Sequence, residues 1–120
     1  MSLNTGYAGL VEAVKALTKE GQTLPMAEKE WYTRPDVISY GTIDREFETD
    51  ELQGDDRKQD RRWEGSLDLY SYSKTGDGWV QIIEDTLTEW CDGSWYVNQD
   101  AAWERESNLF HWEWVFRIEG

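Results

Sequence analysis

The sequence is poor in the residues that build disulfides and metal sites, with one cysteine and one histidine among 120 residues. Cys91 therefore has no partner for an internal disulfide, and a zinc-type cluster of cysteines and histidines cannot be assembled around it. These scarcities predict a protein without a metal or another cofactor. They also favour folding in a reducing, intracellular compartment.

Long hydrophobic runs are also missing. No stretch approaches the roughly 18 apolar residues that a membrane helix needs. The first ten residues, MSLNTGYAGL, have neither the basic nor the apolar region of a signal peptide. We therefore expect no membrane association and no secretory leader.

Basic residues are also scarce: the chain has 12 Lys and Arg against 25 Asp and Glu, which gives a net charge of -13. Binding to nucleic acid or to anionic lipid needs clustered cations, so the sequence predicts neither. Cationic partners, or a role in repelling DNA, stay open.

Aromatic residues, by contrast, are abundant, with eight tryptophans and an aromatic fraction of 14%. This content argues against a disordered chain, and the length predicts a single domain over residues 1–120. The closing stretch, LFHWEWVFRIE, places an aromatic or aliphatic residue at every second position. Such a row is either an exposed platform for a ligand or the core face of a strand.

The first segment has the apolar spacing of a helix, with Asn4 or Thr5 as its N-cap and Gly21 as its C-terminal stop. Its predicted buried positions are Tyr7, Leu10, Val11, Val14 and Leu17. Two prolines then bracket a connector in which Trp31 and Tyr32 are predicted to form a short edge strand.

Two long strands are predicted next, over residues 37–48 and 63–73, because both stretches alternate and are rich in β-branched and aromatic residues. In the second strand, Trp63, Leu67 and Leu69 share one face. Asp68, Tyr70 and Tyr72 share the other. Residues 49–62 between the strands are predicted to form an exposed, mobile, charged loop.

A second helix is predicted over residues 79–90, where the apolar positions form one continuous stripe: Trp79, Ile82, Ile83, Thr86, Leu87 and Trp90. Asp77 is its predicted cap, and Glu84, Asp85 and Glu89 are expected to face water. Two final strands, around residues 94–99 and 109–119, are expected to pair across residues 100–108.

The element order predicts an α+β fold: an antiparallel sheet of about four strands with two amphipathic helices packed on one face. Both helical stripes need an apolar sheet face as a partner, so burial is favoured for the final row. That row consists of Phe110, Trp112, Trp114, Phe116 and Ile118.

Catalytic and ligand motifs are weak throughout. His111 shares a strand face with Glu113 and could act as a base with a carboxylate, but no marked nucleophile accompanies it. No glycine-rich phosphate loop and no EF-hand spacing occurs. We therefore predict no catalytic, metal or cofactor-binding residue.

A subunit interface is the alternative use of the residues outside the core row, because Tyr and Trp are enriched at interfaces. The predicted interface comprises Asp68, Tyr70, Tyr72, Tyr96, Trp103, Leu109, His111, Glu113 and Val115.

One further pattern is informative as a whole. The stretch YGTIDREFETDELQGDD runs through a charged loop into WEGSLDLYSYSKTGDGWVQIIEDTL. A strand segment at residues 67–71, a glycine-bearing turn with an amphipathic helix at residues 74–90, and a closing strand at 110–118 follow in order. This order resembles that of the tail-terminator (tail-completion, or minor capsid) proteins of long-tailed bacteriophages and prophages.

The resemblance implies a non-enzymatic α+β subunit that forms a homo-oligomeric ring, often a hexamer, at the end of the tail tube and contacts the head. Its partners would be tail-tube and head-completion proteins. Its location would be the bacterial cytoplasm during assembly and then the tail–head junction of the virion. The charged loop would be an interaction arm through Asp50, Glu51, Asp55, Asp56, Arg57, Lys58, Asp60, Arg61 and Arg62.

Three other functions stay open at this point. A carbohydrate-binding module would need several tryptophans exposed on one surface. An acidic inhibitor that imitates DNA would need carboxylates at phosphate-like spacing. A hydrolytic enzyme has the least support, because paired acids, a nucleophile and a metal set are all unmarked.

Overall fold

The computed structural model describes residues 6–31, 33–48 and 62–119, with the backbone alone for residues 46–48. Two α-helices, α1 (Gly6–Lys15) and α2 (Trp79–Trp90), lie within these ranges. The strands are β1 (Thr18–Lys19), β2 (Gln22–Thr23), β3 (Met26–Glu28), β4 (Ser39–Glu48), β5 (Arg62–Ser71), β6 (Trp95–Glu104) and β7 (Leu109–Glu119).

Five of the strands form one sheet in the order β3-β4-β5-β7-β6, and β1 pairs with β2 in a separate hairpin. The predicted α+β class is confirmed. The prediction of four antiparallel strands is wrong, because β3 adds a fifth strand that runs parallel to β4. Strand β3 has only three residues, within the connector between Pro25 and Pro35, and this is too short for a period-two pattern to reveal a strand.

The first helix ends earlier than predicted. It stops at Lys15, and Gly21 lies in the turn of the β1–β2 hairpin instead of ending the helix. Glu20 and Gly21 have φ values of 53° and 80°, the two positive values that a tight two-residue hairpin turn requires. Gly21 therefore does mark a reversal of the chain, but the reversal is a hairpin turn and not the end of the helix. The predicted N-caps, Asn4 and Thr5, lie outside the described residues.

The connector after the hairpin does not form the predicted edge strand at Trp31. The strand lies earlier, where Met26 pairs with Gly41 in parallel register. Trp31 instead donates its indole N–H to the carbonyl of Gly41, at 3.0 Å. Tyr32 lies outside the described residues.

Both helices contribute to one core on a single face of the sheet. Leu10 and Val14 of α1 and Ile83 and Leu87 of α2 are fully buried. The alternating row of β7 is the opposite wall: Trp112, Trp114, Phe116 and Ile118 are buried, and Phe110 is half-buried against the same cluster. The prediction that this row is core is confirmed. Burial of each such side chain contributes about 1.5–3 kcal/mol.

The second helix has the predicted extent but a different start. A 3-10 turn over Gly76–Gly78 precedes it, and no side-chain hydrogen bond caps it. Asp77 is not the cap, because it has a φ of 55° and lies inside that turn. Glu84 does not simply face water either. It is half-buried and accepts the indole N–H of the fully buried Trp114 at 2.9 Å.

The last two strands form a hairpin with a shorter connection than predicted. β6 continues to Glu104, so only residues 105–108 are a turn. The extra length of β6 is taken up by register shifts between Val97 and Gln99 and between Gln99 and Ala102. Such bulges twist an edge strand and limit unwanted pairing with other chains.

Candidate functional site

The sheet face away from the core carries polar and aromatic side chains. Strand registers align Tyr40 of β4, Tyr70 of β5 and His111 of β7 directly across the sheet. Their rings stack in that order, with centroids 5.2 Å apart between the tyrosines and 4.4 Å apart between Tyr70 and His111. Trp31 closes the row edge-on against Tyr40. The chain's only histidine is thus the last ring of a row that begins at Trp31 and crosses three strands.

Two carboxylates hold the His111 ring from opposite sides. Nε2 lies 2.7 Å from Oδ1 of Asp68 on β5, and Nδ1 lies 2.8 Å from Oε2 of Glu104 on β6. The His111 side chain is only 12% exposed. We call these three residues the carboxylate clamp. It ties three neighbouring strands together through one side chain.

The clamp favours the protonated form of the ring. An ionised carboxylate only accepts hydrogen bonds, so two such bonds require a proton on each ring nitrogen, which favours the imidazolium form of His111. Burial of His111 lowers its pKa, but the hydrogen bonds and negative charges of Asp68 and Glu104 outweigh this effect. The net result is a raised pKa.

The clamp continues into a longer hydrogen-bonded chain. Glu104 also accepts a hydrogen bond from the hydroxyl of Ser107, at 3.2 Å. The backbone carbonyl of Ser107 in turn accepts a hydrogen bond from Nη1 of Arg34, at 3.1 Å. Nη2 of Arg34 donates to the hydroxyl of Tyr72. On the other side, Asp68 accepts the hydroxyl of Thr42, at 3.5 Å. The chain links β4 to the β6–β7 turn and to the segment before β4.

Beside the ring stack lies a cavity of about 240 Å³. Burial, and then the negative charge of Asp68, raise the pKa of Tyr70, so its hydroxyl stays protonated at neutral pH. The residues that line the cavity are Lys29, Glu30, Trp31, Arg34, Tyr40, Thr42 and Tyr70.

The arrangement does not favour acid–base or nucleophilic catalysis. A doubly protonated imidazole has no free lone pair, so the imidazolium form that the clamp favours cannot act as a base. Cys91 is buried, and burial raises the pKa of its thiol to about 12, which leaves very little thiolate at neutral pH. Within residues 6–31, 33–48 and 62–119, no group of three His, Cys, Asp or Glu could hold a metal ion.

The predicted interface residues divide into three groups. Tyr72, Tyr96 and Trp103 are exposed. Leu109 is fully buried and cannot contact a partner in this conformation, although its strand position suggested exposure. Trp103 pairs with Phe110 in register and touches its ring, so it lies on the helix side of the sheet and not opposite it. The half-buried members are Asp68, Tyr70, His111, Glu113 and Val115.

The predicted interaction loop falls almost wholly outside the described residues, including Asp50, Glu51, Asp55, Asp56, Arg57, Lys58, Asp60 and Arg61. Arg62 does not belong to it. It is the first residue of β5, and its Nε lies 3.6 Å from a carboxylate oxygen of Glu119 on β7.

Sequence reasoning missed Glu104, Ser107, Arg34 and Thr42 as members of the network. Glu104 was expected in a loop, and Arg34 lies 73 residues from its acceptor Ser107. No periodicity links residues so far apart. The one available signal was the rarity of histidine beside many acids, which suggests an ion pair but not its members.

Exposed apolar side chains gather at one end of the sheet. Ile38 accepts a backbone hydrogen bond from Tyr72, and Phe110 pairs with Ser71 on one side and Trp103 on the other. Ile38, Tyr72 and Trp103 are 58%, 50% and 52% exposed. We call Ile38, Tyr72, Phe110 and Trp103 the apolar rim. Exposed apolar side chains that gather at one end of a sheet are characteristic of interaction sites.

The clamp makes the stability of the fold depend on pH. Because the pKa of His111 is raised in the folded state, its contribution is complete below the ordinary value of 6.5 and is lost as pH rises through the folded-state pKa. The free energy of unfolding, measured in urea, should fall over that window by up to about 1.4 kcal/mol per pH unit. In His111→Gln this decline should disappear. Parallel profiles for the two proteins would contradict the prediction.

Comparison of the chain with protein-family models, with curated protein sequences and with solved structures finds no match. Among the described residues, neither helix is long and apolar enough to cross a membrane.

Proposed function

We propose that this protein is a non-enzymatic subunit of a larger protein assembly. The apolar rim is the observation that carries the proposal. The chain has a net charge of -13, yet it exposes Ile38, Tyr72 and Trp103 at the same end of its sheet. Aromatic side chains on such a patch are the usual anchors of protein interfaces. The closed carboxylate clamp gives His111 a structural role, which accords with a protein that performs no reaction.

The assembly that we propose is a homo-oligomeric ring at the head-proximal end of a phage or prophage tail tube. The order of strands and helices resembles that of tail-terminator proteins, and the α+β architecture agrees with this role. A net charge of -13 would also let DNA pass through a ring without adhering to it. The partners would be the tail-tube and head-completion proteins.

The carbohydrate-binding alternative loses the observation that suggested it. Trp112 and Trp114 of the β7 row are 3% and 0% exposed, so the row is not available to a sugar. Trp103 is the most exposed tryptophan within the described ranges, and it stands at the sheet edge. One edge-placed ring is not the planar row that such modules present.

Deletion of the gene in its parent phage or prophage tests the proposed role. We expect electron microscopy of the deletion strain to show tail tubes of variable length and heads without tails. Expression of the gene in trans should restore tails of uniform length. Normal virions from the deletion strain would refute the tail-terminator proposal.

Truncation of the rim tests the interface. Trp103→Ser should weaken self-association, measured by size-exclusion chromatography with light scattering over a concentration series. An anchoring aromatic at an interface contributes about 2 kcal/mol or more, so the dissociation constant should rise roughly thirtyfold. Val97→Ser is the matched control, because Val97 is exposed on the same strand but lies away from the rim. Equal effects of the two changes would contradict a specific role for the rim.

A further inference from the structure

The carboxylate clamp has a feature that a simple structural ion pair lacks. One ring holds two acceptors, and it can satisfy both only while it carries two protons. The titratable groups that face it are Asp68 and Tyr70 from β5, Glu104 from β6 and Glu113 from its own strand, with Tyr40 of β4 behind Tyr70. Arg34 reaches the clamp only through Ser107.

We propose that the clamp is a pH-operated latch whose Glu104 arm opens when the His111 ring gives up one proton to solvent. The inference is independent of the proposed function, because it depends only on the contacts of the ring.

The geometry decides which arm opens. Each carboxylate accepts one further hydroxyl, but the side chain of Asp68 is only 17% exposed, whereas that of Glu104 is 38% exposed. A carboxylate that can regain water loses less free energy when it gives up its donor. The neutral ring should therefore keep its proton on Nε2, facing Asp68. The Nδ1 lone pair then lies against the Glu104 carboxylate, and the two repel.

Opening of this arm affects more than one hydrogen bond. The Glu104 carboxylate is also the acceptor for the Ser107 hydroxyl, so the turn at residues 105–108 loses this bond and keeps only the side-chain bond from Arg34 to the Ser107 carbonyl. Arg34 lies over the Tyr72 ring of the apolar rim, with its Cζ 5.5 Å from the ring centroid. Deprotonation of His111 is thus coupled to the order of the turn and to the exposure of the rim.

The test combines ring protonation with local stability in the intact chain. Nitrogen-15 shifts of His111 report its protonation and tautomer, and hydrogen exchange of the Asn108 amide reports the turn, because that amide donates to the Glu104 carbonyl. We expect the Asn108 protection factor, corrected for intrinsic exchange, to fall about tenfold as the ring loses its proton. The proton that remains should be on Nε2.

Two matched variants isolate the latch. Glu104→Gln replaces the carboxylate with an amide that can accept from or donate to Nδ1, so Asn108 protection should become independent of pH. Glu113→Gln removes a charge from the same sheet face, and the hydrogen bond of Glu113 goes to Asn98, whereas those of the ring go to Asp68 and Glu104. It should titrate like the wild type.

Constant Asn108 protection through the His111 titration of the wild type would overturn the proposal. So would a neutral ring that is protonated on Nδ1, because the Asp68 arm would then be the one that opens. If Glu104→Gln does not fold, the wild-type tautomer and the Glu113→Gln titration still decide the matter.

Discussion

Gly65→Ala should lower the free energy of unfolding by at least about 3 kcal/mol, or prevent folding altogether. A Cβ at this position would come closer than 3.0 Å to the carbonyl oxygen of Asp44, to the Cα of Arg45 and to the ring of Phe116. Two of these contacts are with backbone, which cannot rotate away. The register between β4 and β5 also shifts between Arg45 and Phe47, beside this point. The glycine therefore allows the two strands and the aromatic ring to approach.

Urea unfolding followed by tryptophan fluorescence measures this effect, and Gly21→Ala is its control. Gly21 has a φ of 80°, but an added Cβ would meet no atom within 4 Å. Its substitution should cost only the left-handed backbone strain, about 1–2 kcal/mol. If both alanine variants lose the same stability, the close packing at Gly65 is not what requires glycine.

Sequence patterns predicted those parts of the fold in which one helix or strand is long enough to repeat its apolar periodicity several times. Helix α2 keeps its apolar spacing over 12 residues, about three turns, and β7 alternates over its full length, so each pattern recurs several times within its own element. The two patterns also require each other, because an amphipathic stripe needs an apolar sheet face. This mutual requirement identified the core side of Trp112 and Trp114 without any structural knowledge.

The strands that the sequence did not predict, β1, β2 and β3, are short and form only by pairing with another strand. β3 has three residues, and its parallel partner lies beyond a connector, so no local pattern encodes it. The β1–β2 hairpin has two residues on each side, and its turn glycine resembles a helix stop. Glycine at a left-handed position indicates a reversal of the chain, but the residues around it decide which kind.

The candidate site was predicted only as a strand face. Alternation placed Asp68 and Tyr70 on the same face, and it placed His111 with Glu113. The carboxylate clamp, however, needs the register between β5 and β7, which joins residues 43 positions apart. It also needs the extension of β6 to Glu104, in a stretch that suggested a loop. Strand register is set by cross-strand packing, which a single sequence does not display.

Trp114→Ala should be the second strongly destabilising change, with a loss of about 3–5 kcal/mol in the free energy of unfolding. The side chain is fully buried between the sheet and the helices, so its removal leaves a large cavity. Trp103→Ala removes the same group from a position that is 52% exposed and should cost less than about 1 kcal/mol. Urea unfolding of the two variants thus tests directly whether the tryptophan row is core or surface.

The indole N–H of Trp114 adds a polar component that alanine alone cannot resolve. Its hydrogen bond to Glu84 is charge-assisted, and removal of the donor leaves a half-buried carboxylate without that partner. A double-mutant cycle with Trp114→Phe and Glu84→Ala separates this bond from packing. We expect a coupling of about 1–2 kcal/mol, so that Trp114→Phe is tolerated better once Glu84 is absent. Strictly additive losses would mean that the helix carboxylate is solvated and that apolar burial alone holds Trp114 in the core.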